Sequence, residues 1–263
     1  MLGFNGGLIG KTRSSASVLN RPGIWSANEQ CTLRRDGAWY YLAGDAHYSS
    51  VALLLPGVGG QNGTVFTDFS PSPKTLTRSG DTITTTAQSK YYDSSIYFDG
   101  TGDKLLTSGT YIANTVNTWT AESWVYMLGT GAFDANNIPG LFSFDSSGGT
   151  NYLAFGPDNT RKLKLRWFDT ASKSAVGTTT LNLNQWYHIA CSVSVNTIRM
   201  FVNGVQETLT GTTTLTTRGA TVGASEYGSN NYGSFYGYIN DLRVTPNVGR
   251  YVSNFTPPGS LIT

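Results

Sequence analysis

Four glutamates, two histidines and two cysteines are the side chains of this 263-residue sequence best suited to chemistry, and their spacing decides which chemistry is open. Glycoside hydrolysis needs two carboxylates flanking the scissile bond, about 5–5.5 Å apart for retention or about 6.5–9.5 Å for inversion, one of them with a raised pKa. A strand could supply such a pair at every second position, because side chains two apart share a face. Glu29, Glu122, Glu207 and Glu226 stand apart from one another, and Glu122 has no acid two or four positions after it. Ser/His/Asp chemistry has only His47 and His188 as bases, neither in a recognisable setting. Cys31 and Cys191 are too far apart for a local metal knuckle and read as buried free thiols. Two histidines and two cysteines leave zinc almost without ligands. Phosphate-loop and dinucleotide motifs are absent. An enzyme is not expected.

The elements that carry these residues must be strands. Charged residues make up 13% of the chain, against about 25% in an average soluble domain. Gly, Ser, Thr, Asn and Tyr take up the difference, a composition suited to pleated sheets and tight turns, and the strong helix formers never cluster. A net charge of +2, with no Lys/Arg run, argues against a nucleic-acid partner. No apolar stretch approaches the roughly 18 residues of a spanning helix, so membrane insertion is not expected. The opening MLGFNGGLIGKTRSS puts its basic residues after the apolar ones, the reverse of a secretory signal, and reads as a leaderless start.

Apolar or alternating runs recur every 8 to 15 residues from about Ala46. Strands are predicted at 50–55, 82–86, 95–98, 104–107, 119–127, 140–144, 152–155, 162–168, 186–193, 197–202, 221–224 and 236–244, separated by turn signals such as Asn62-Gly63, Asp99-Gly100 and Asn203-Gly204. Lys162, Lys164 and Arg166 alternate with Leu163, Leu165 and Trp167, the mark of a strand with one wet and one dry face. Trp186 reads as a core aromatic and His188 as a satisfied strand histidine. The Thr-rich stretch 208–217 reads as a strand edge or an ordered loop. Residues 1–45 lack the pattern and form a separate arm; 46–263 form the domain. Leu2, Phe4, Leu8, Ile9 and Trp25 would anchor that arm in a neighbouring subunit, the alternative being a first strand with a disordered tail.

Five strings in order carry a resemblance: SSVALLL (49–55) leading into FTDFSPSPKTLT (66–77), SSIYFDGTGDKL (94–105), WTAESWVYM (119–127), NQWYHIACSVSVNTIRMFVNGV (184–205) and GYINDLRVTPNVGRYVSNFTPP (237–258). Together they resemble the concanavalin A-like lectin/glucanase superfamily, in particular its laminin G-like branch found in phage structural proteins. The resemblance implies an all-β fold, an antiparallel jelly-roll β-sandwich with an extended N-terminal arm. The glucanase branch carries Glu-x-Asp-x-(x)-Glu on one strand, and this sequence has no such string. The opening GGLIGKTRSSAS (6–17) resembles the starts of tailed-phage virion proteins.

The resemblance implies a non-enzymatic virion structural protein of a capsid, tail or fibre, assembled in the host cytoplasm and displayed on the virion surface. Its partners would be other virion proteins through the arm, further copies of itself in a homo-oligomer, and host-surface glycans. A carbohydrate-binding module or adhesin with no assembly role is the alternative, and a glycoside hydrolase a more distant one. Sugar binding on a sandwich uses aromatic rings for the apolar faces of pyranoses and Asn side chains for the hydroxyls. Tyr227, Asn230, Asn231, Tyr232 and Tyr236 are the candidates, with a subunit interface as the other use of the same loop. No cofactor is expected beyond a structural calcium, for which the resemblance implies Asp241 first and Asp99 second, the alternative being turn-forming aspartates.

Overall fold

Leu163, Leu165 and Trp167 are completely buried while Lys162, Lys164 and Arg166 between them stay half-buried. That strand has one dry face and must pack it against a second layer. The computed structural model describes residues 45–112, 117–131, 141–146, 151–168, 171–215, 220–223, 226–227, 230–231 and 235–261. The five expected anchor residues and Tyr232 lie outside the described residues. The sandwich described below falls within one compact unit, His47–Pro258.

A short 3-10 turn at Tyr48–Ser50 precedes the strands. In chain order these are β1 Leu53–Leu55, β2 Leu76–Ser79, β3 Ile83–Thr85, β4 Ser95–Asp99, β5 Lys104–Ile112, β6 Trp119–Met127, β7 Phe142–Ser146, β8 Asn151–Pro157 and β9 Lys162–Phe168. They continue with β10 Ser172–Thr180, β11 Trp186–Ser194, β12 Thr197–Val202, β13 Val205–Gln206, β14 Thr210–Gly211, β15 Ala220–Gly223, β16 Glu226–Tyr227, β17 Asn230–Asn231 and β18 Tyr236–Pro246. The first sheet runs β13-β12-β11-β6-β18-β4-β3, with β1 also on β18; the second runs β14-β10-β9-β8-β7-β15-β5-β2; β16 and β17 make a separate hairpin. The pairings among the described residues are antiparallel, which is the expected all-β jelly-roll class.

The core lies between the sheets. Trp119, Ala121, Val125 and Met127 of β6 and Ile189, Cys191 and Val193 of β11 meet Leu153, Phe155, Leu163, Leu165 and Trp167 of the second sheet. Each large side chain so buried contributes about 1.5–3 kcal/mol. Cys191 is a free thiol inside this core, and burial pushes its pKa far up. Tight turns hold the hairpins: Val195 and Asn196 both have positive φ (45° and 68°) between β11 and β12, as do Asn203 and Gly204 (50° and 78°) between β12 and β13.

β4, β5, β8, β11 and β18 run past the expected bounds, β1 and β3 fall short of them, β7 and β15 are shifted, and further strands are added. β10 was invisible to alternation because SKSAVGTTT buries only Ala175 and Gly177, two small residues. Within the Thr-rich stretch β14 pairs with β10 as an edge strand, and Leu215 is fully buried.

Candidate functional site

The face of the first sheet that points away from the core carries the polar and aromatic residues of β6, namely Thr120, Glu122, Trp124 and Tyr126. Cross-strand register groups their neighbours. Glu122 pairs with Ala190 of β11 and Arg243 of β18, and Trp124 pairs with His188 and Asn240. A bulge in β18 makes this possible, because three steps from Asn240 to Arg243 match two steps from Trp124 to Glu122. Asp241, at φ 51°, is the turning point.

One half of this face is closed by a buried ionic network. Glu122 is 1% exposed, and its Oε1 accepts from Arg243 Nε at 2.9 Å and Nη2 at 2.7 Å. Its Oε2 accepts from Tyr251 Oη at 2.7 Å and lies 3.1 Å from His188 Nε2. Burial alone would raise the Glu122 pKa, but the Arg243 guanidinium, the His188 hydrogen bond and Arg250 outweigh it and hold the carboxyl well below the usual carboxylate range. A carboxylate kept ionised this firmly is no general acid. Burial, then the Glu122 charge, push the Tyr251 phenol up. The C-terminal segment completes the cover: Tyr251 stacks on Phe255 at 3.5 Å between centroids, and Phe255 meets Phe201 and His188 edge-on.

The other half presents an aromatic row. Trp186 of β11 is the register partner of Tyr126 of β6, Tyr126 of Tyr238 of β18, and Tyr238 of Tyr97 of β4. All four are half-buried. Ring centroids are 5.5, 5.7 and 5.1 Å apart along the row, with interplanar angles of 60°, 73° and 39°. Four neighbouring strands at about 4.8 Å spacing give the row a length of about 14 Å. Burial, followed for Tyr97 by the phenols of Tyr236 and Tyr238, raises the Tyr97 pKa, and burial then Tyr126 raises that of Tyr238; both stay protonated donors at neutral pH. Beside the row, Lys90 Nζ sits 4.1 Å from the ring centroid of Trp124, and Tyr91 meets the same ring edge-on.

Sequence-chosen residues fall differently. Tyr236 opens β18 opposite Asp99 and lies one step from the row, against Gly100 and Gly129. Tyr227, Asn230 and Asn231 pair in the β16–β17 hairpin. Trp186, read as a core aromatic, instead belongs to the outward row, because it shares a face with His188. His188 does meet a partner, Glu122. The row itself was missed, since Tyr97, Tyr126, Trp186 and Tyr238 come together only through strand register.

The two aspartates chosen for calcium separate. Both oxygens of Asp241 accept the Tyr92 hydroxyl, at 2.7 and 2.9 Å, and the residue is 2% exposed at the bulge. Asp99 joins Asp81 and Asp103, with a carboxylate oxygen from each within 4.8 Å of the others. Asp103 ties two turns together by accepting the Asp81 amide at 2.8 Å and the Asp99 amide at 2.9 Å, and burial pushes its carboxyl above the usual range. Three convergent oxygens suit a hard cation, so calcium fits Asp81, Asp99 and Asp103 better than Asp241. Asp68 behaves as a turn former, accepting from the amides of Leu54, Ser70 and Lys74. Glu207 accepts from the amides of Thr178 and Thr179.

Comparison with known proteins agrees with this architecture. The binding domain of Paraclostridial mosquitocidal protein 1 is similar with a TM-score of 0.52 and 12% identity, over 76% of this chain and 50% of that one. The botulinum neurotoxin serotype D binding domain gives 0.50 and 13%, over 76% and 49%. The chain thus spans about half the length of these two domains. Domain 4 of AbnA, a GH43 extracellular arabinanase from Geobacillus stearothermophilus, gives 0.45 and 15%, over 68% and 85%. At identities this low the first two similarities speak for the fold alone. No curated protein sequence matches the chain. The family model described as the concanavalin A-like lectin/glucanases superfamily, of laminin G type, matches residues 99–248, more than half of the chain. The chain belongs to the concanavalin A-like lectin/glucanases superfamily.

Proposed function

We propose that this chain is a non-enzymatic glycan-binding module whose contact surface is the row Trp186–Tyr126–Tyr238–Tyr97. The observation that carries this reading is the register itself, which aligns four half-buried aromatic rings across four strands. Ring faces take up the C–H surfaces of sugars, and the protonated phenols donate to hydroxyls. A rigid sheet holds the rings without a large ordering cost on binding. The superfamily holds both lectins and glucanases, and Glu122 favours the first, since its oxygens are committed to Arg243, Tyr251 and His188. The test is a glycan array on the whole chain, repeated with Tyr126→Ala. Binding that disappears with the substitution supports the reading, and binding indifferent to it, or none to any glycan, rejects it.

We further propose that the module is a phage virion component, displayed on the particle as a homo-oligomer and anchored by residues 1–45. The support is the opening string 6–17, which resembles the starts of tailed-phage virion proteins. Deleting residues 1–45 is expected to abolish incorporation into particles while the sandwich stays folded; unchanged incorporation contradicts the anchor.

A further inference from the structure

Lys90 stands beside the aromatic row in a position that the fold enforces. Its backbone N–H donates to Asn240 Oδ1 at 2.8 Å. Asn240 is itself held, since its Nδ2 donates to the carbonyls of Pro56 at 2.7 Å and Ser94 at 2.9 Å. Beyond Lys90 the chain passes through two consecutive left-handed residues, Tyr92 at φ 62° and Asp93 at φ 56°. Such a conformation is costly away from glycine and persists where surrounding contacts impose it. Here the contact is the Tyr92 hydroxyl on Asp241. Residues 90–92 are thus pinned to the β18 bulge through the Lys90 amide and the Tyr92 hydroxyl.

This pinned segment holds an ammonium over aromatic carbon. Lys90 Nζ lies 4.1 Å from the Trp124 centroid and 5.8 Å from that of Tyr91. Trp124 is two residues before Tyr126 on the same face, so the charge hangs about 7 Å along the strand from the middle of the row. No carboxylate lies within salt-bridge distance of Lys90 among the described residues, whereas His188, Arg243 and Arg250 lie within that distance of Glu122. A cation–π contact is a weak use of a half-buried ammonium, and a charge-assisted hydrogen bond is stronger. Asp81, Asp99 and Asp103 lie at the opposite flank, beyond Tyr97. As long as no calcium holds the carboxylates, the row is therefore polarised, with its cation over Trp124 and its carboxylates at the β4 end.

We infer that the saccharide on this row is acidic, carrying a carboxylate or sulfate that is met by Lys90 while its rings lie along Tyr126 and Tyr238. The inference rests on the reading of the row as a glycan platform. It gives the ligand a direction, with its anionic group toward Trp124 and away from Asp99.

Calorimetric titration of the full chain tests it, with oligogalacturonate against its fully methyl-esterified form and dextran sulfate against dextran. The acidic member of at least one pair should bind tenfold or more tightly than its neutral partner, and rising NaCl should narrow the gap. Which pair shows the gap distinguishes carboxylate from sulfate. Lys90→Met should bring the acidic-to-neutral ratio toward one, and Lys90→Arg should keep most of it; equal thermal melting of both variants excludes misfolding. Equal affinity for the acidic and neutral members of both pairs overturns the acidic preference while leaving the platform in place. A ratio that Lys90→Met does not change removes Lys90 from the role. No binding of any of the four overturns the inference, while the platform stands or falls on the glycan array.

Discussion

Asn240 and Arg243 lie three residues apart on β18 yet share a face of the sheet, because the bulge at Asp241 takes up one residue. In a regular strand an odd spacing puts two side chains on opposite faces. The bulge therefore lets one strand serve both halves of the face. Below it Tyr238 joins the aromatic row and Asn240 holds the Lys90 amide. Above it Arg243 reaches Glu122.

Removing the charge at the centre of the closed half is expected to cost much of the stability. Glu122→Gln takes the carboxylate charge away from the buried Arg243 guanidinium, and breaking a buried ion pair costs about 3–5 kcal/mol. Urea unfolding at pH 7 checks this; a loss below about 1 kcal/mol contradicts the network's role. The pH dependence has a definite sign. The folded-state pKa of Glu122 is depressed, so its contribution is complete above the unfolded value of about 4.3 and fades as pH falls below it. The stability gap between wild type and Glu122→Gln should narrow from about pH 4.3 downward. A gap that widens there contradicts the assignment.

Gly204 secures the C-terminal cover. It has φ 78°, and a methyl group on it would overlap the Phe255 carbonyl, which accepts no alternative there because the Phe255 amide donates to Gly204 O at 2.9 Å. Gly204→Ala is expected to destabilise by more than about 1 kcal/mol and to expose residues 247–258 to protease. Unaltered cleavage and melting would show that the cover does not depend on this approach.

Calcium is expected to bind at Asp81, Asp99 and Asp103 and to clamp the two turns that Asp103 already joins. At a calcium concentration about 100 times Kd the gain would be about 2.7 kcal/mol, a rise of several degrees in Tm that EDTA reverses and Asp103→Asn abolishes. A Tm indifferent to millimolar calcium removes the metal from the account, and a rise that survives Asp103→Asn places it elsewhere.

Alternation made the sandwich legible. β6, β9 and β12 run where Trp119, Lys162 and Thr197 begin their expected strands, since these stretches follow the period of two. β10 was hidden because its buried residues, Ala175 and Gly177, give no apolar signal. That Glu122 stands apart from other acids was legible in the sequence; that it is an ion-pair centre appears only in the fold, where Arg243 and His188 reach it across strands. The proposed binding surface was not legible. Tyr97, Tyr126, Trp186 and Tyr238 are separated by up to 141 positions in the chain, and only pairing register brings them into one row. Trp186 shows the difficulty: a tryptophan at a strand start reads as core until its neighbour across the ladder is known.

The central claim is that the row binds glycan, and the most direct measurement is the affinity of one array-identified glycan for wild type, the Tyr126→Ala/Tyr238→Ala double variant and Tyr227→Ala. The row account predicts a loss of tenfold or more for the double variant, about 1.4 kcal/mol or greater, with melting still cooperative and Tyr227→Ala close to wild type. Full affinity in the double variant together with loss in Tyr227→Ala contradicts it and returns the site to the loop around the β16–β17 hairpin.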